Sequence, residues 1–279
     1  MDITIDNFIK KALTEDIGSG DITSLACIDK NACGEAKLIT KEACKIAGIN
    51  IAKKIYNNYD GSLLFLPTVK DGQLVKSGEV VFTIQGKTHS ILATERLVLN
   101  CMQRMSGIAT KTHQFISKIQ DLNTIILDTR KTCPSIRFLD KEAVRIGGGT
   151  NHRYGLYDTI MIKDNHIDFS GSIEKAIINC HNYLRKNNKK IKIIIETRSL
   201  KELAQVLNIG KIDRILLDNF KIEETRKAVK MVNGEYPLES SGNININNIR
   251  KYALCGVEFI SIGSLTHSVK NIDLSMLSI

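Results

Sequence analysis

Apolar positions follow two different rhythms along this chain. In the N-terminal part, helical and β patterns mix. Apolar residues at helical spacing predict an amphipathic opening helix over 7–12. The stretch 15–23, Glu-Asp-Ile-Gly-Ser-Gly-Asp-Ile-Thr, reads as a turn-rich loop whose glycines reach conformations that other residues avoid. Strand-like pieces come next at 34–40 and 63–69, and 71–84 gives two short β segments around a Lys76-Ser77-Gly78 turn. From 90 to 118, Leu92, Leu99, Cys101 and Met105 form an apolar stripe that also carries Arg96. It predicts a long helix joining two modules, with a break near Ser106-Gly107.

Beyond that helix the rhythm changes. Short β-branched runs at 124–127, 159–162, 192–195, 214–217, 236–238 and 258–262 alternate with helical patterns at 174–186, 200–207, 222–232 and 246–254. Strands without polar alternation are covered on both faces, which predicts a parallel sheet clad in helices. Repeated βα units give an α/β fold, either a barrel or a doubly wound sheet.

Composition narrows the function. No apolar run approaches the roughly 20 residues needed to cross a bilayer. The acidic start, Met1 to Asp6, lacks the basic-then-apolar layout of a signal peptide, so the expected setting is cytoplasmic. Seven scattered cysteines without a C-x-x-C pair predict reduced, mostly buried thiols rather than disulfides or zinc ligands. The net charge is +9, yet the longest basic cluster, 186–192, is interrupted and reads as a solvated helix end. Aromatic residues make up 5% without clustering, which argues against a nucleic-acid surface. Excess positive charge around a site for polyanionic small molecules accounts for the balance instead.

The residues at the end of each apolar run support that account. The strand ends are Asp128-Thr129-Arg130-Lys131, Lys163-Asp164-Asn165-His166, Glu196-Thr197-Arg198, Asp218-Asn219, Glu239-Ser240-Ser241-Gly242-Asn243 and Gly263-Ser264-Leu265-Thr266-His267. In parallel βα folds the carboxyl ends of strands converge on one face, where active sites lie. The early ends supply cations (Arg130, Lys131, Lys163), joined by Arg137, Arg145, His152 and Arg153 from the intervening loop. Central ends supply Glu196 and Asp218, and the last two are Gly/Ser turns suited to a phosphate. Converging cations need a multiply anionic ligand, and a sugar phosphate carrying pyrophosphate meets all three groups. The loop at 145–153 contains Gly147-Gly148-Gly149 but lacks the Lys-Ser/Thr ending of a P-loop.

These segments, together with Glu15-Asp16, Gly20-Asp21-Ile22-Thr23, Ala93-Thr94-Glu95-Arg96 and 105–110, resemble the quinolinate phosphoribosyltransferase family. The specific pieces are Thr129-Arg130-Lys131-Thr132 and Gly147-Gly148-Gly149-Thr150-Asn151-His152-Arg153, in the right order over nearly the whole chain. The resemblance implies an N-terminal open α/β sandwich over 1–108, hammerhead-like as in lipoyl carriers but lacking their modifiable lysine. An incomplete, roughly seven-stranded α/β barrel would occupy 109–279, with the option that the last residues return to the first domain. It implies a homodimer, or a hexamer of dimers, in which Arg96 reaches the neighbouring site.

By the same resemblance, Arg130, His152, Arg153 and Lys163 hold the carboxylates of quinolinate, and Lys131 and Lys163 face pyrophosphate. Thr129 lines the substrate site. Glu196 and Asp218 hold the ribose hydroxyls and Mg²⁺, through water. Backbone at Ser241, Gly242, Asn243, Ile262, Gly263 and Ser264 takes the 5-phosphate, and His267 adds a contact. Lys131, Lys163, Glu196 and Asp218 are the catalytic set. Departures from the family pattern are Cys133, Ser135 and Asn243, the last standing where a second glycine is frequent. A paralogue of the same fold associated with molybdenum transport, with a different acceptor, is the alternative. The complete Thr-Arg-Lys-Thr and Asn-His-Arg segments weigh against it.

Overall fold

The computed structural model describes residues 5–279. The chain opens with α1 (Ile5–Ile17) and α2 (Ile22–Cys27), then β1 (Cys33–Thr40), β2 (Cys44–Lys45), α3 (Ile49–Tyr59), β3 (Leu64–Pro67), β4 (Leu74–Val75), β5 (Val80–Lys87) and α4 (Thr88–Ser117). It continues with β6 (Ile125–Leu127), α5 (Arg137–Ile146), β7 (Ile160–Ile162), α6 (Asp164–Ser170), α7 (Ile173–Lys186) and β8 (Ile193–Thr197). Next come α8 (Leu200–Ile209), β9 (Arg214–Asp218), α9 (Ile222–Val232), β10 (Leu238–Ser241), α10 (Ile249–Ala253) and β11 (Phe259–Ser261). The described elements end with α11 (Ser264–His267) and β12 (Leu274–Ser278). Two compact units result. The first holds the chain up to His113 with Thr132–Gly148 and Leu265–Ile279, and the second holds Gln114–Lys131 and Gly149–Ser264.

The first unit is built on an antiparallel sheet in the order β12-β1-β5-β3, beside a two-stranded β2-β4 ladder. Alternation along β1 buries Ala36, Leu38 and Thr40. Helix α3 buries Ile51, Ala52, Ile55 and Tyr56, which recur one turn apart as a core-facing stripe requires. The Tyr56 ring packs against Phe65 and Phe82 at centroid distances of 5.8 and 6.0 Å. Asp71 starts that helix, its Oδ1 accepting from Gly48 N and Ile49 N at 2.7 and 2.9 Å. The two β segments expected around Lys76-Ser77-Gly78 form, but in different sheets, since β4 pairs with β2 and β5 with β1 and β3.

Four expectations need correction here. The opening helix forms around 7–12 as expected, but within 15–23 only 18–21 is loop. Glu15 to Ile17 finish α1, while Asp21 caps α2 by accepting from Thr23 N and Ser24 N, both at 3.1 Å. Gly18, Ser19 and Gly20 form the expected turn, and Asp21 directly after it is a helix start. Helix α4 runs unbroken through Ser106-Gly107. A Cβ on Gly107 would lie 2.3 Å from the Lys270 carbonyl oxygen, so this glycine admits a close neighbour and breaks nothing. The segment carrying Arg137 and Arg145 is helix α5, not loop. Finally, the thiols are not mostly buried. All seven are free, but only Cys44, Cys101 and Cys255 are buried, and Cys27, Cys33 and Cys133 are exposed.

Helix α5 is tied in by a buried ion pair. Arg104 on α4 donates from Nε and Nη2 to the two carboxylate oxygens of Asp140 at 2.7 and 2.8 Å, and from Nη2 to the Thr266 carbonyl at 3.1 Å. Asp140 also accepts Cys133 N–H at 3.0 Å. This hydrogen bonding to the carboxylate raises the Arg104 pKa.

The second unit is a parallel sheet in the order β6-β11-β10-β9-β8-β7. Thr150 makes a further parallel bridge to Leu127 on the open side of β6, adding a seventh stave to the six strands. Helices α7, α8, α9 and α10 fill the crossovers, and every residue of β8 is buried, as cover on both faces requires. Strand β10 begins two residues later than its apolar run suggested. Pro237 lacks an N–H, and the ladder runs on through Glu239, Ser240 and Ser241, which carry no apolar signal. Helix α10 starts at Ile249 because Asn248 Oδ1 accepts Asn245 N–H in a preceding turn. Among the described residues, no helix is long and apolar enough to cross a membrane.

Candidate active site

Sheet register decides which side chains can meet. Side chains alternate between faces, and residues paired across a ladder share a face. The pairs Glu196↔Leu216, Ser241↔Asp218 and Glu239↔Leu216 put Glu196, Asp218, Glu239 and Ser241 on one face. Glu239↔Phe259 and Ser261↔Leu127 extend that face across β11 to β6, and Thr150 joins it through Leu127. Continuing the alternation past the strand ends adds Thr129, His152, Lys163 and Gly263. The polar residues after different strands therefore share one face at one end of the sheet.

The cations there lie close to one another. Arg153 is half-buried and its pKa is lowered, first by burial and then by the charge of Arg130, with Asp158 acting the other way. Arg130 Nε is buried without a hydrogen-bond partner. Two guanidiniums held within repelling distance form a preorganised place for an anion. Arg153 Nη1 donates to the Thr159 carbonyl at 3.3 Å, just ahead of β7. His152 is fixed through its backbone, whose N–H donates to the buried Asp128 carboxylate at 2.7 Å, and Arg153 N–H donates to its ring Nδ1 at 2.6 Å. Lys131 is exposed, its backbone N–H on Thr129 Oγ1 at 3.1 Å.

Lys163 Nζ and Glu196 Oε2 are 2.5 Å apart, as their adjacent strands dictate. Burial pushes the Glu196 carboxyl above its ordinary pKa; Lys163 pulls it down, and the charges of Asp218 and Asp164 add to the rise. Glu196 thus faces one cation and two further carboxylates, a setting in which an added cation is favourable. Among the described residues, no group of three or more His, Cys, Asp or Glu side chains has metal-binding geometry.

Beyond β10, Ser241 accepts Asn219 N–H at its carbonyl, and Gly242 and Asn243 adopt φ of 91° and 52°. Asn243 thus takes the left-handed conformation otherwise filled by glycine. Gly242 has no freedom of replacement, because a Cβ there would lie 2.2 Å from Asn219 Oδ1. Asn243 Nδ2 in turn donates to that oxygen at 3.0 Å. After β11, Ile262 is buried and gives its N–H to the Leu127 carbonyl, so that amide belongs to the sheet. Gly263 and Ser264 come next, Ser264 opening α11.

Several residues singled out from the sequence belong to the first unit: Arg96, exposed on α4; His267, exposed with Nδ1 2.7 Å from Ser268 Oγ; and Arg137 and Arg145 on α5. Arg145 pairs with Glu142 on the solvent side, so counting it among converging cations was an error. Asp128 and Glu239 stand among the strand ends read from the sequence but received no role there, and Arg214 was taken only as part of an apolar run. Arg214, Leu216 and Asp218 recur with the period of a strand, which was the available signal.

Family models for the N-terminal and C-terminal domains of quinolinate phosphoribosyl transferase match residues 21–106 and 108–277. Quinolinate phosphoribosyltransferase [decarboxylating] 1b of Nicotiana tabacum is 41% identical, over 96% of this chain and 80% of the relative. The probable nicotinate-nucleotide pyrophosphorylase [carboxylating] of Bacillus subtilis is 39% identical, over 94% and 89%. Among solved structures, the nicotinate-nucleotide pyrophosphorylase of Ehrlichia chaffeensis superposes with a TM-score of 0.92 at 38% identity over the full length of both chains. That of Francisella tularensis gives 0.90 at 38% identity, over 100% of this chain and 96% of its own.

Proposed function

The chain belongs to the quinolinate phosphoribosyltransferase family, and from that premise we propose how its own residues carry out the reaction. The enzyme joins quinolinate to 5-phosphoribosyl 1-pyrophosphate and releases nicotinate mononucleotide, pyrophosphate and CO₂, a transferase step of NAD biosynthesis. The observation that supports the assignment of residues is the shared sheet face, which gathers a Lys–Glu pair, a second carboxylate and a Ser-Gly-Asn turn, with the repelling guanidiniums of Arg130 and Arg153 directly following its Thr129 and His152.

In this reading Arg130, Arg153 and His152 orient the two carboxylates of quinolinate so that its ring nitrogen faces the anomeric carbon. The nitrogen lone pair forms the new C–N bond while the C–O electrons leave with pyrophosphate. Lys131 and Lys163 offset the charge of that leaving group, and Glu196 and Asp218 lie beside the ribose, where positive charge develops. The pyridinium then accepts electron density from the breaking bond to the 2-carboxylate. CO₂ departs, and a proton takes its place on C2. Backbone at Ser241, Gly242, Asn243, Gly263 and Ser264 holds the 5-phosphate; the sheet-bound Ile262 amide does not take part.

Glu196 and Asp218, with no third protein ligand among the described residues, fit a Mg²⁺ that keeps waters and substrate oxygens in its shell better than a dedicated cage. Bound there, the ion would supply charge neutralisation for the departing pyrophosphate. A homodimer, alone or built into a hexamer, completes the proposal, with Arg96 entering the neighbour's site. Exposed Leu92, one turn before Arg96 on α4, and exposed Ile22, which lines the same hollow as Leu92, support such a face. A cytoplasmic setting accords with seven free thiols.

The test is formation of nicotinate mononucleotide from quinolinate and phosphoribosyl pyrophosphate with Mg²⁺, nicotinate being offered in competition. Arg130→Ala and Arg96→Ala should each be inactive, and mixing them should restore activity through hybrid dimers. A fully active Arg130→Ala enzyme, or no rescue after verified subunit exchange, overturns the corresponding role.

A further inference from the structure

Beneath the substrate-facing residues, the same sheet face carries a charged group that none of the roles above uses. Glu239 on β10 is fully buried. Its Oε2 lies 3.0 Å from Arg214 Nη1 and 3.3 Å from His152 Nε2. Arg214 starts β9, two residues before Leu216, the register partner of Glu239, and its guanidinium carbon stands 3.7 Å from the centroid of the Phe259 ring. Phe259 is the register partner of Glu239 on the other side. An arginine stacked on a ring, a carboxylate and an imidazole thus run in a column up the sheet, starting at a level that Ile194 fills on the neighbouring strand β8.

The upper end of this column is constrained in a way that assigns a proton. His152 Nδ1 accepts Arg153 N–H at 2.6 Å, so its lone pair is engaged. In the neutral ring the hydrogen then sits on Nε2, the nitrogen that faces Glu239. The His152 side chain is only 6% exposed, leaving little room for another orientation. Glu239 meets what such a partner must satisfy. Burial pushes its carboxyl pKa up, but His152, Ser261 and Arg214 outweigh it and hold the group below the ordinary carboxylate range, hence ionised near neutrality.

We propose that Glu239, with Arg214 behind it, is a positioning residue that fixes the tautomer and orientation of His152 and, through the following peptide, the placement of Arg153. The proposal rests on the reading of His152 and Arg153 as the quinolinate end of the site. It extends that reading inward to two residues that touch no substrate. An acidic partner that orients an imidazole from behind is a general device for setting which ring nitrogen carries the proton. Arg214 joins His152 and Ser261 in keeping that carboxylate charged; removing it takes away the one permanent positive charge beside a buried carboxylate and shifts the group toward protonation.

The experiment uses the full-length enzyme with Glu239→Gln, Glu239→Asp and Arg214→Met, each checked by circular dichroism and thermal melting. In Glu239→Gln an amide replaces the acceptor pair, and KM for quinolinate should rise about tenfold or more, the worth of one misdirected charge-assisted contact. KM for phosphoribosyl pyrophosphate should stay within about twofold, because Lys163, Glu196 and Asp218 are untouched. Glu239→Asp retains the charge and should recover part of the loss. Nitrogen-15 spectra of the His152 ring should show the Nε2–H form in the native enzyme and a different or mixed form in Glu239→Gln and Arg214→Met. A native spectrum of the Nδ1–H form sinks the proposal, as does a folded Glu239→Gln with both KM values unchanged, or both raised alike. The ring spectra need no substrate, so they judge the Glu239–His152 pairing even if the quinolinate assignment were to fail.

Discussion

The Arg104–Asp140 pair gives the sharpest quantitative test of how the first unit is held together. Asp140 is fully buried and accepts three hydrogen bonds: Arg104 Nε at 2.7 Å, Arg104 Nη2 at 2.8 Å and Cys133 N at 3.0 Å. Asp140→Ala leaves a guanidinium and an amide without their acceptor. Removing one partner of a buried pair typically costs about 3–5 kcal/mol. The Arg104 side chain keeps 24% exposure, so water can relieve part of the loss, and the expectation is about 3 kcal/mol. At roughly 2–4 °C per kcal/mol, the melting temperature should fall by about 6–12 °C. Urea unfolding of Asp140→Ala, Arg104→Met and the double variant measures the coupling directly. The double variant should be more stable than the sum of the single losses predicts, because it leaves no buried charge behind. Glu142→Ala, which breaks a pair with side chains 48% and 64% exposed, should cost no more than about 0.5 kcal/mol. If Asp140→Ala costs no more than this surface control, the pair is not a tie and the reasoning is wrong.

Three further outcomes are expected. Arg145→Ala should leave kcat/KM for quinolinate within about twofold of native, since its guanidinium pairs with Glu142 on the surface; a loss beyond tenfold would return it to the site. Gly107→Ala should destabilise by about 1–3 kcal/mol in thermal melts, because the new Cβ meets the Lys270 carbonyl at 2.3 Å, and an unchanged melt would mean that the C-terminal segment moves aside freely. Asp121, chelated by Arg250 at 2.6 and 2.8 Å, has its pKa pushed down to about 2. Its depressed value means that the contribution of the pair is present above the unfolded carboxylate pKa of about 3.9 and is lost as pH falls toward 2. A carbon-13 titration of the Asp121 carboxyl should show this midpoint, and Arg250→Ala should raise it toward the free value of about 3.9, the backbone hydrogen bond retaining part of the depression.

The strand-end chemistry was legible because parallel strands announce themselves as apolar runs, and their polar ends are therefore easy to mark. Lys163, Glu196, Asp218 and Ser241 were found in that way, and the register places them on one face. The same reliance on apolar runs misplaced β10 by two residues, because Glu239, Ser240 and Ser241 are polar yet sheet-bound, and it left the column beneath His152 unread. Gly18 and Gly20 do sit in the expected turn, but the helix start directly after them was not read, and Gly107 answers a neighbour far along the chain that no local pattern could reveal. Helix α5 was missed because its core contacts, Leu139, Asp140, Lys141, Ala143 and Val144, include two charged residues that only tertiary partners make buriable.

Strand β12 has a consequence for biogenesis. It pairs with β1 from Ala36↔Ser278 to Thr40↔Leu274, so the loop it closes contains the entire second unit. A nascent chain emerging from the ribosome must therefore carry β1 with one row of backbone donors and acceptors unanswered until everything between has been translated. Pairings so distant in sequence form slowly, and an open strand edge is a template for other chains in the meantime. During translation this edge stays open longest, which is when chaperone cover of residues 33–40 would matter.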